Sequence, residues 1–272
     1  MNSVIKALAF TSVLILAIVA LAYATSSGGL GVLPPESLRP LAITYLRTVY
    51  NPENPKFTAM APEAVTAILW DYRGLDTLFE TVVFYGAIIA VLTLYRETYR
   101  ERDILPLKGL SIVVKRATAV TSLAILSVAV ATALHGHLTP GGGFQAGAIA
   151  AVAPLVMLIV FSKRFLSDRL SHVQLLTMRN LGLLGLGLTA IALAIVGFAI
   201  GEKAFIFQNQ AKEMSKLSFP QRILGVPAGG TLLFFNIFEA LAVAAGFTLV
   251  FMVLLSSEEL SRKEIVGEEH GY

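Results

Sequence analysis

The sequence predicts an all-α, polytopic membrane protein with about six spanning helices and both termini on the cytoplasmic side. Three observations predict it. Of 272 residues, 56% are hydrophobic and 14% are charged, against roughly a quarter charged in a soluble domain. Several apolar runs exceed the ~18 residues that mark a membrane-crossing helix, and mean hydropathy is +0.73. Basic residues gather beside those runs. The bilayer, rather than a water-excluded core, therefore decides the architecture. The net charge of +3 carries no nucleic-acid signal, because the basic residues border spans, and no nucleic-acid partner is expected. Cysteine is absent, which excludes disulfides, thiolate metal sites, cysteine-held iron–sulfur clusters and cysteine nucleophiles. No cofactor and no metal is expected in this chain.

The first span is expected from about Val4 to Ala24. Lys6, the apolar run and Ala22-Tyr23-Ala24 have the outline of a signal peptide, but an uncleaved helix is the reading taken. Spans are expected from Leu75 to Tyr95, Ala117 to Leu134, Phe144 to Phe161, Leu181 to Ile200 and Thr231 to Ser256. Between the second and third lie Arg96, Arg100, Arg102, Lys108, Lys115 and Arg116; between the fourth and fifth lie Lys163, Arg164, Arg169 and Arg179. With Lys6, Arg262 and Lys263, these place both links and both termini inside.

The outer loop Thr25 to Gly74 is rich in proline, and Leu41 to Tyr50 inside it suits a short surface helix. A second outer loop, Gly201 to Gly230, carries Phe205, Phe207, Phe219 and Pro220. Loops with this content are expected against the membrane or a partner. Pro62 to Glu80 reads as an amphipathic surface helix entering the second span, with Trp70 and Tyr72 at the membrane interface and Asp71, Arg73 and Asp76 pairing locally. Glu258 to Tyr272 is a short charged end. The charged stretch Tyr99 to Arg116 suggests a junction, giving residues 1–100 as a two-helix unit and residues 101–272 as a four-helix unit.

Two carboxylates fall inside spans. Glu239 lies ~12 Å and Glu80 ~9 Å along their helices, where an ionisable group costs at least ~2.5 kcal/mol unless it faces protein or water. For Glu239 the readings are a proton relay, a polar contact with a neighbouring subunit, or a neutral carboxyl holding helices together near Asn236. For Glu80 they are a proton relay, a polar contact with a neighbouring subunit or, with Asp76, capping of a helix start. His135 and His137 read as loop histidines, since no further ligands are spaced nearby. Between the third and fourth spans, Thr139, Pro140, Gly141, Gly142 and Gly143 form a turn that permits positive φ and close backbone approach; Phe144, Gln145 and Gly147 follow. Its exposed amides suit an anion, and a tight turn between paired helices accounts for most of it. Pro154 is expected to kink the fourth span. Ala146, Gly147, Ala150 and Ala151 form a small-residue packing face. No phosphate loop, nucleophile elbow or dinucleotide fingerprint is present.

The run Gly136, His137, Leu138, Thr139, Pro140, Gly141, Gly142, Gly143, Phe144 resembles the MnhB (MrpB) domain of multisubunit sodium/proton antiporters. Gly225 to Gly230 fits the same family, and the resemblance covers about Leu107 to Ser257. Upstream, Asp71, Arg73, Gly74, Asp76, Thr77 and Glu80 resemble a stretch near the carboxyl end of the large MrpA subunit. The joining of both pieces is similar to the regrouped modules of archaeal membrane-bound hydrogenases and sulfane sulfur reductases. The resemblance implies an accessory, non-catalytic ion-translocation subunit in a prokaryotic cytoplasmic membrane. Its implied partners are other Mrp-type antiporter subunits, the lipid bilayer and a hydrogenase-like or sulfur-reductase peripheral arm. Glu80 and Glu239 are then candidates for an ion path, with Asp71 and Asp76 near its outer mouth. His137, Pro140, Gly141, Gly142, Gly143, Phe144 and Gly147 form a structural or partner-contacting turn. The alternatives are a scaffold without its own ion path, a plain secondary antiporter subunit, a free-standing transporter and an intramembrane enzyme.

Overall fold

A computed structural model describes residues 3–29, 37–95 and 110–254. The junction proposed near Arg100, the last residues of the sixth span and the charged end Glu258 to Tyr272 lie outside the described residues. The chain divides into two compact units, 1–43 and 44–272. The first holds α1 (Ser3–Ser26) and the start of α2 (Pro40–Val49).

The second unit continues through α3 (Ala64–Ala67), a π-turn (Ile68–Tyr72), α4 (Gly74–Leu94), α5 (Ile112–His135), α6 (Gly143–Phe161), α7 (Lys163–Ser167), α8 (His172–Ile200) and α9 (Thr231–Leu254). Between α8 and α9 lies a two-stranded hairpin, β1 (Arg222–Ile223) and β2 (Val226–Pro227). Five of these helices, α4, α5, α6, α8 and α9, are long and apolar enough to cross a bilayer; in α1 the described apolar stretch, Thr11–Ser26, is shorter. The chain is thus an all-α, multi-pass membrane protein.

α9 is the axis of the larger unit. It packs against α8, α6 and α4, and α5 packs against α6. Phe235 and Leu232 of α9 meet Trp70 of the π-turn and Leu186 of α8 in one apolar cluster. Leu249 and Met252, further along α9, meet Leu158, Leu166 and Leu175 in another.

Several expectations are corrected. α8 begins at His172, not Leu181, because Ser171 and Gln174 form a reciprocal capping box there. Arg179 is therefore a residue of a spanning helix and not of a cytoplasmic link. At 29 residues α8 is ~43 Å long, well beyond the ~30 Å hydrocarbon layer. α5 likewise starts earlier, at a Ser111 cap that accepts the Val114 N–H, and takes in Lys115 and Arg116.

Pro62 to Glu80 is not one amphipathic helix. Glu63 caps α3, the next turn widens to π with the Arg73 N–H reaching the Ile68 carbonyl at 2.9 Å, and α4 restarts at Gly74. Trp70 is consequently not at the membrane interface. It is 2% exposed and stacks on Phe235, with ring centroids 4.3 Å apart. The second outer loop also turns inward. Buried Asn209 donates to the Ala59 carbonyl and accepts the Thr231 N–H, both at 2.9 Å, tying both loops to the start of α9.

Candidate functional site

The glycine turn shapes the site. Gly141 and Gly142 sit at φ +159° and +148°, a conformation that side-chain-bearing residues rarely adopt. The chain can then turn directly into α6, whose first residue, Gly143, lies against α9. A Cβ built on Gly143 would stand 2.5 Å from a Glu239 carboxylate oxygen and 2.7 Å from the Asn236 carbonyl. No side chain caps α6 within the turn. The Glu239 carboxylate does so from across the interface, accepting a hydrogen bond from the Phe144 N–H. It thereby satisfies one of the orphan donors of a helix start and faces the positive end of the helix dipole.

The π-turn supplies a second donor. Trp70 hydrogen-bonds Glu239 through its indole, while its ring is held by Phe235. Glu239 is 7% exposed. A cavity of about 370 Å³ opens beside it, lined also by Glu80, Thr77, Thr81, Gly142, Gln145 and Asn236. Glu80 is itself exposed and close enough to Glu239 for their charges to repel. Asn236, one turn before Glu239, is fully buried, and neither amide atom has a hydrogen-bond partner among the described residues.

Asp71 and Asp76 go elsewhere. The wide π-turn sends Trp70 and Asp71 to different cavities. Asp71 lines a pocket of about 600 Å³ with Lys212, Tyr45, Tyr72, Lys56 and Phe205. It is hydrogen-bonded by Asn209, and burial pushes its carboxyl up to about 6, opposed by the Lys212 charge and the Asn209 bond. Burial also raises the phenol of Tyr72, whose hydroxyl donates to Thr48 Oγ1 at 2.7 Å. Asp76 is exposed and pairs with Arg73 at 2.8 Å. The expected local pairing thus holds for Arg73 and Asp76 but not for Asp71.

His137 is in the turn but buried. One ring nitrogen, Nε2, lies 2.8 Å from the Pro227 carbonyl of β2, and its own carbonyl accepts the Glu63 N–H at 3.1 Å. Desolvation lowers its imidazole pKa, and because Nε2 faces a carbonyl, Nε2–H is the donor. Thr66 Oγ1 donates to the Gly136 carbonyl at 2.7 Å. These bonds lock the upstream segment onto the glycine turn. Pro140 is exposed. Phe144 packs edge-on against Phe84 of α4, at 5.6 Å. Gly147 continues the close contact, since a Cβ there would stand 2.7 Å from the Ala240 carbonyl. Sequence reasoning missed Trp70 as a ligand of Glu239. Its place beside Asp71 was visible in the sequence, but the π-turn that aims it inward left no signal.

Fold and site together define a multi-pass α-helical membrane protein built around a glycine turn that presses one helix start onto a buried carboxylate. Residues 113–249, half of the chain, match the domain related to the MnhB subunit of Na+/H+ antiporters. The chain belongs to that family, one of transport subunits. It is 28% identical to an uncharacterized protein of Methanocaldococcus jannaschii, over 76% of this chain and 82% of that one. In three dimensions it resembles a chain of the membrane-bound sulfane sulfur reductase, an archaeal respiratory membrane complex, with TM-score 0.65 and 26% identity over 91% of this chain and 99% of that one. It also shares the fold of part of a chain in the Mrp complex of Dietzia sp. DQ12-45-1b, with TM-score 0.58 and 20% identity over 91% of this chain and 26% of that one.

Proposed function

We propose that this chain is an accessory, non-catalytic membrane subunit of an Mrp-type cation/proton antiporter module. It works within a redox-driven ion-pumping complex of the membrane-bound hydrogenase or sulfane sulfur reductase kind, in a prokaryotic cytoplasmic membrane. Its partners are other Mrp-type subunits and a peripheral redox arm. Glu80 and Glu239 form one step of a sodium or proton path. The observation that carries this reading is that both carboxylates, from helices far apart in sequence, line one cavity among the spanning helices, together with Thr77, Thr81, Gln145 and Asn236. The unpartnered amide of Asn236 supports it, because such a group is costly unless water or an ion satisfies it. Asp71, although it lines a separate cavity, is the proton-exchanging group near the outer mouth of this path, with the exposed Asp76 as a nearby charge. A boundary near residue 100, between an MrpA-like two-helix unit and an MnhB-like four-helix unit, agrees with a family match that begins at 113.

The experiment is ion uptake by proteoliposomes holding the purified complex, with Glu80→Gln and Glu239→Gln. The expected result is normal assembly with at least about tenfold slower cation-coupled proton movement, the scale of one lost essential proton-transfer group. Full transport by both variants refutes the ion path. If Gly147→Val at the same time abolishes assembly, the chain is a scaffold. Gentle-detergent purification with iron analysis tests the larger setting. Iron-bearing partners support a redox pump, and antiporter subunits without iron indicate a secondary antiporter. Isolation of the chain alone overturns the subunit reading.

A further inference from the structure

Arg179 is a buried cation inside a spanning helix, and the proposed ion path does not use it. It is 5% exposed. Its Nη2 donates to the Tyr85 hydroxyl at 3.1 Å and to Asn180 Oδ1 at 3.4 Å, and its guanidinium lies 4.3 Å over the Tyr85 ring. The Tyr85 hydroxyl in turn donates to Asn180 Oδ1 at 2.7 Å. Among the described residues Nε and Nη1 have no hydrogen-bond partner, and no carboxylate pairs with this charge.

With Thr231 taken as the outer edge of the hydrocarbon layer, the cluster lies at a depth that disfavours a lipid phosphate as its counter-ion. Gly182, one turn from Arg179, packs against Ala242 of α9. Ala242 lies ~16 Å along α9 from Thr231, so Arg179 is ~20 Å from that end. That leaves it ~10 Å short of the far edge of a ~30 Å hydrocarbon layer. α1 carries no Asp or Glu and cannot supply the charge.

The cluster also breaks the surface. Asn180 is exposed and Tyr85 half-buried, among the apolar side chains of Val82, Ile89 and Leu184, each more than 40% exposed. A hydrogen-bonding cationic spot at this depth, ringed by lipid-like side chains, is expensive against lipid and favourable against a matching protein surface. We infer that the α4–α8 face is the docking surface for a transmembrane helix of a partner subunit that presents one Asp or Glu at the level of Tyr85 and Asn180. The carboxylate accepts from the Asn180 amide N–H, with the Tyr85 hydroxyl and the Arg179 guanidinium directly behind it. This rests on the reading of the chain as one subunit of a membrane complex.

The test is site-directed photocross-linking in the purified complex. The chain has no cysteine, so Leu184→Cys or Ile89→Cys carries a benzophenone maleimide at a single place without touching the cluster. The expected product joins a partner's apolar helix with an Asp or Glu in the cross-linked peptide. Arg179→Gln lowers its yield about tenfold, and neutralising the partner's acid in the same complex restores it, the signature of direct coupling. A complex that co-purifies intact overturns the docking inference alone if its cross-links reach only lipid, this chain's own residues 96–109 or 255–272, or a helix without an acid. A chain that purifies without partners overturns the subunit reading as well.

Discussion

Replacing Gly143 with alanine tests the central geometry of the site in one atom. The added Cβ would stand 2.5 Å from a Glu239 carboxylate oxygen, 2.6 Å from Glu239 Cβ and 2.7 Å from the Asn236 carbonyl. Ordinary contact begins near 3.4 Å, so α6 and α9 must separate by close to an ångström. The Asn236 carbonyl is backbone and cannot swing away. Overpacking of this kind costs ~1–3 kcal/mol. Alanine's helix advantage of ~1 kcal/mol applies to helix interiors and offsets little of this at the first residue of α6. Gly86 of α4 is the control, since a Cβ there meets nothing within 4 Å. Gly86→Ala should be neutral or stabilising by up to ~1 kcal/mol. The assay is equilibrium unfolding in mixed micelles, followed by tryptophan fluorescence. The chain has one tryptophan, Trp70, which touches Glu239, so the same signal reports a local shift before unfolding. If Gly143→Ala unfolds with wild type or Gly86→Ala and leaves the emission unchanged, the close approach of α6 to α9 is wrong.

Three further outcomes follow from the same contacts. Trp70→Phe keeps the stack on Phe235 but removes a donor to Glu239; it should cost ~1–3 kcal/mol and slow ion uptake, whereas unchanged transport would show that the indole does not position the carboxylate. Asp71 titrates near 6 in the folded chain, above its ordinary 3.8. The folded state therefore holds more protons than the unfolded one between about pH 4 and 6, and stability falls as pH rises through that window, by at most ~3 kcal/mol. Asp71→Asn should flatten that part of the stability profile in a pH series, and a slope left intact would assign it to another group. Asp76→Asn removes an ion pair whose side chains are 64% and 65% exposed, so unfolding should shift by no more than ~1 kcal/mol.

The spans and the glycine turn were legible because each writes itself locally. Apolar runs define five of the helices, and Pro140 with three successive glycines marks a break. Of the small residues of α6, Gly147 lies against α9, and Ala146 and Ala151 are almost wholly buried. What failed to read through was set by tertiary partners. The sequence reading starts the fifth span only after Arg179 because charge is a poor membrane residue, but Tyr85, distant in sequence, accepts one of its protons and the helix reaches back to His172. Asp71, two residues before Arg73, looks like a local partner for it. The π-turn rotates it toward Asn209 and Lys212, and nothing in the run Ile68 to Tyr72 distinguishes a π-turn from an α-turn.

The same logic explains why two sequence-distant motifs act at one place. A carboxylate held in a spanning bundle must have fixed donors, or it draws in water and loses its position. Glu239 takes one donor from the glycine turn, through Phe144, and one from the upstream segment, through Trp70. The Phe144 N–H reaches Glu239 because Gly143 lacks a Cβ, and the π-turn that aims Trp70 is itself anchored where Glu63 and Thr66 are bonded to His137 and Gly136. Cutting those two bonds should therefore disturb Glu239 even though neither touches it. Thr66→Val deletes one hydroxyl at nearly constant volume and leaves the Gly136 carbonyl unpaired, a loss of ~1–3 kcal/mol. If the upstream segment positions the site, this change shifts Trp70 emission and slows ion uptake together. A stability loss with both unchanged would mean that the glycine turn alone holds the carboxylate.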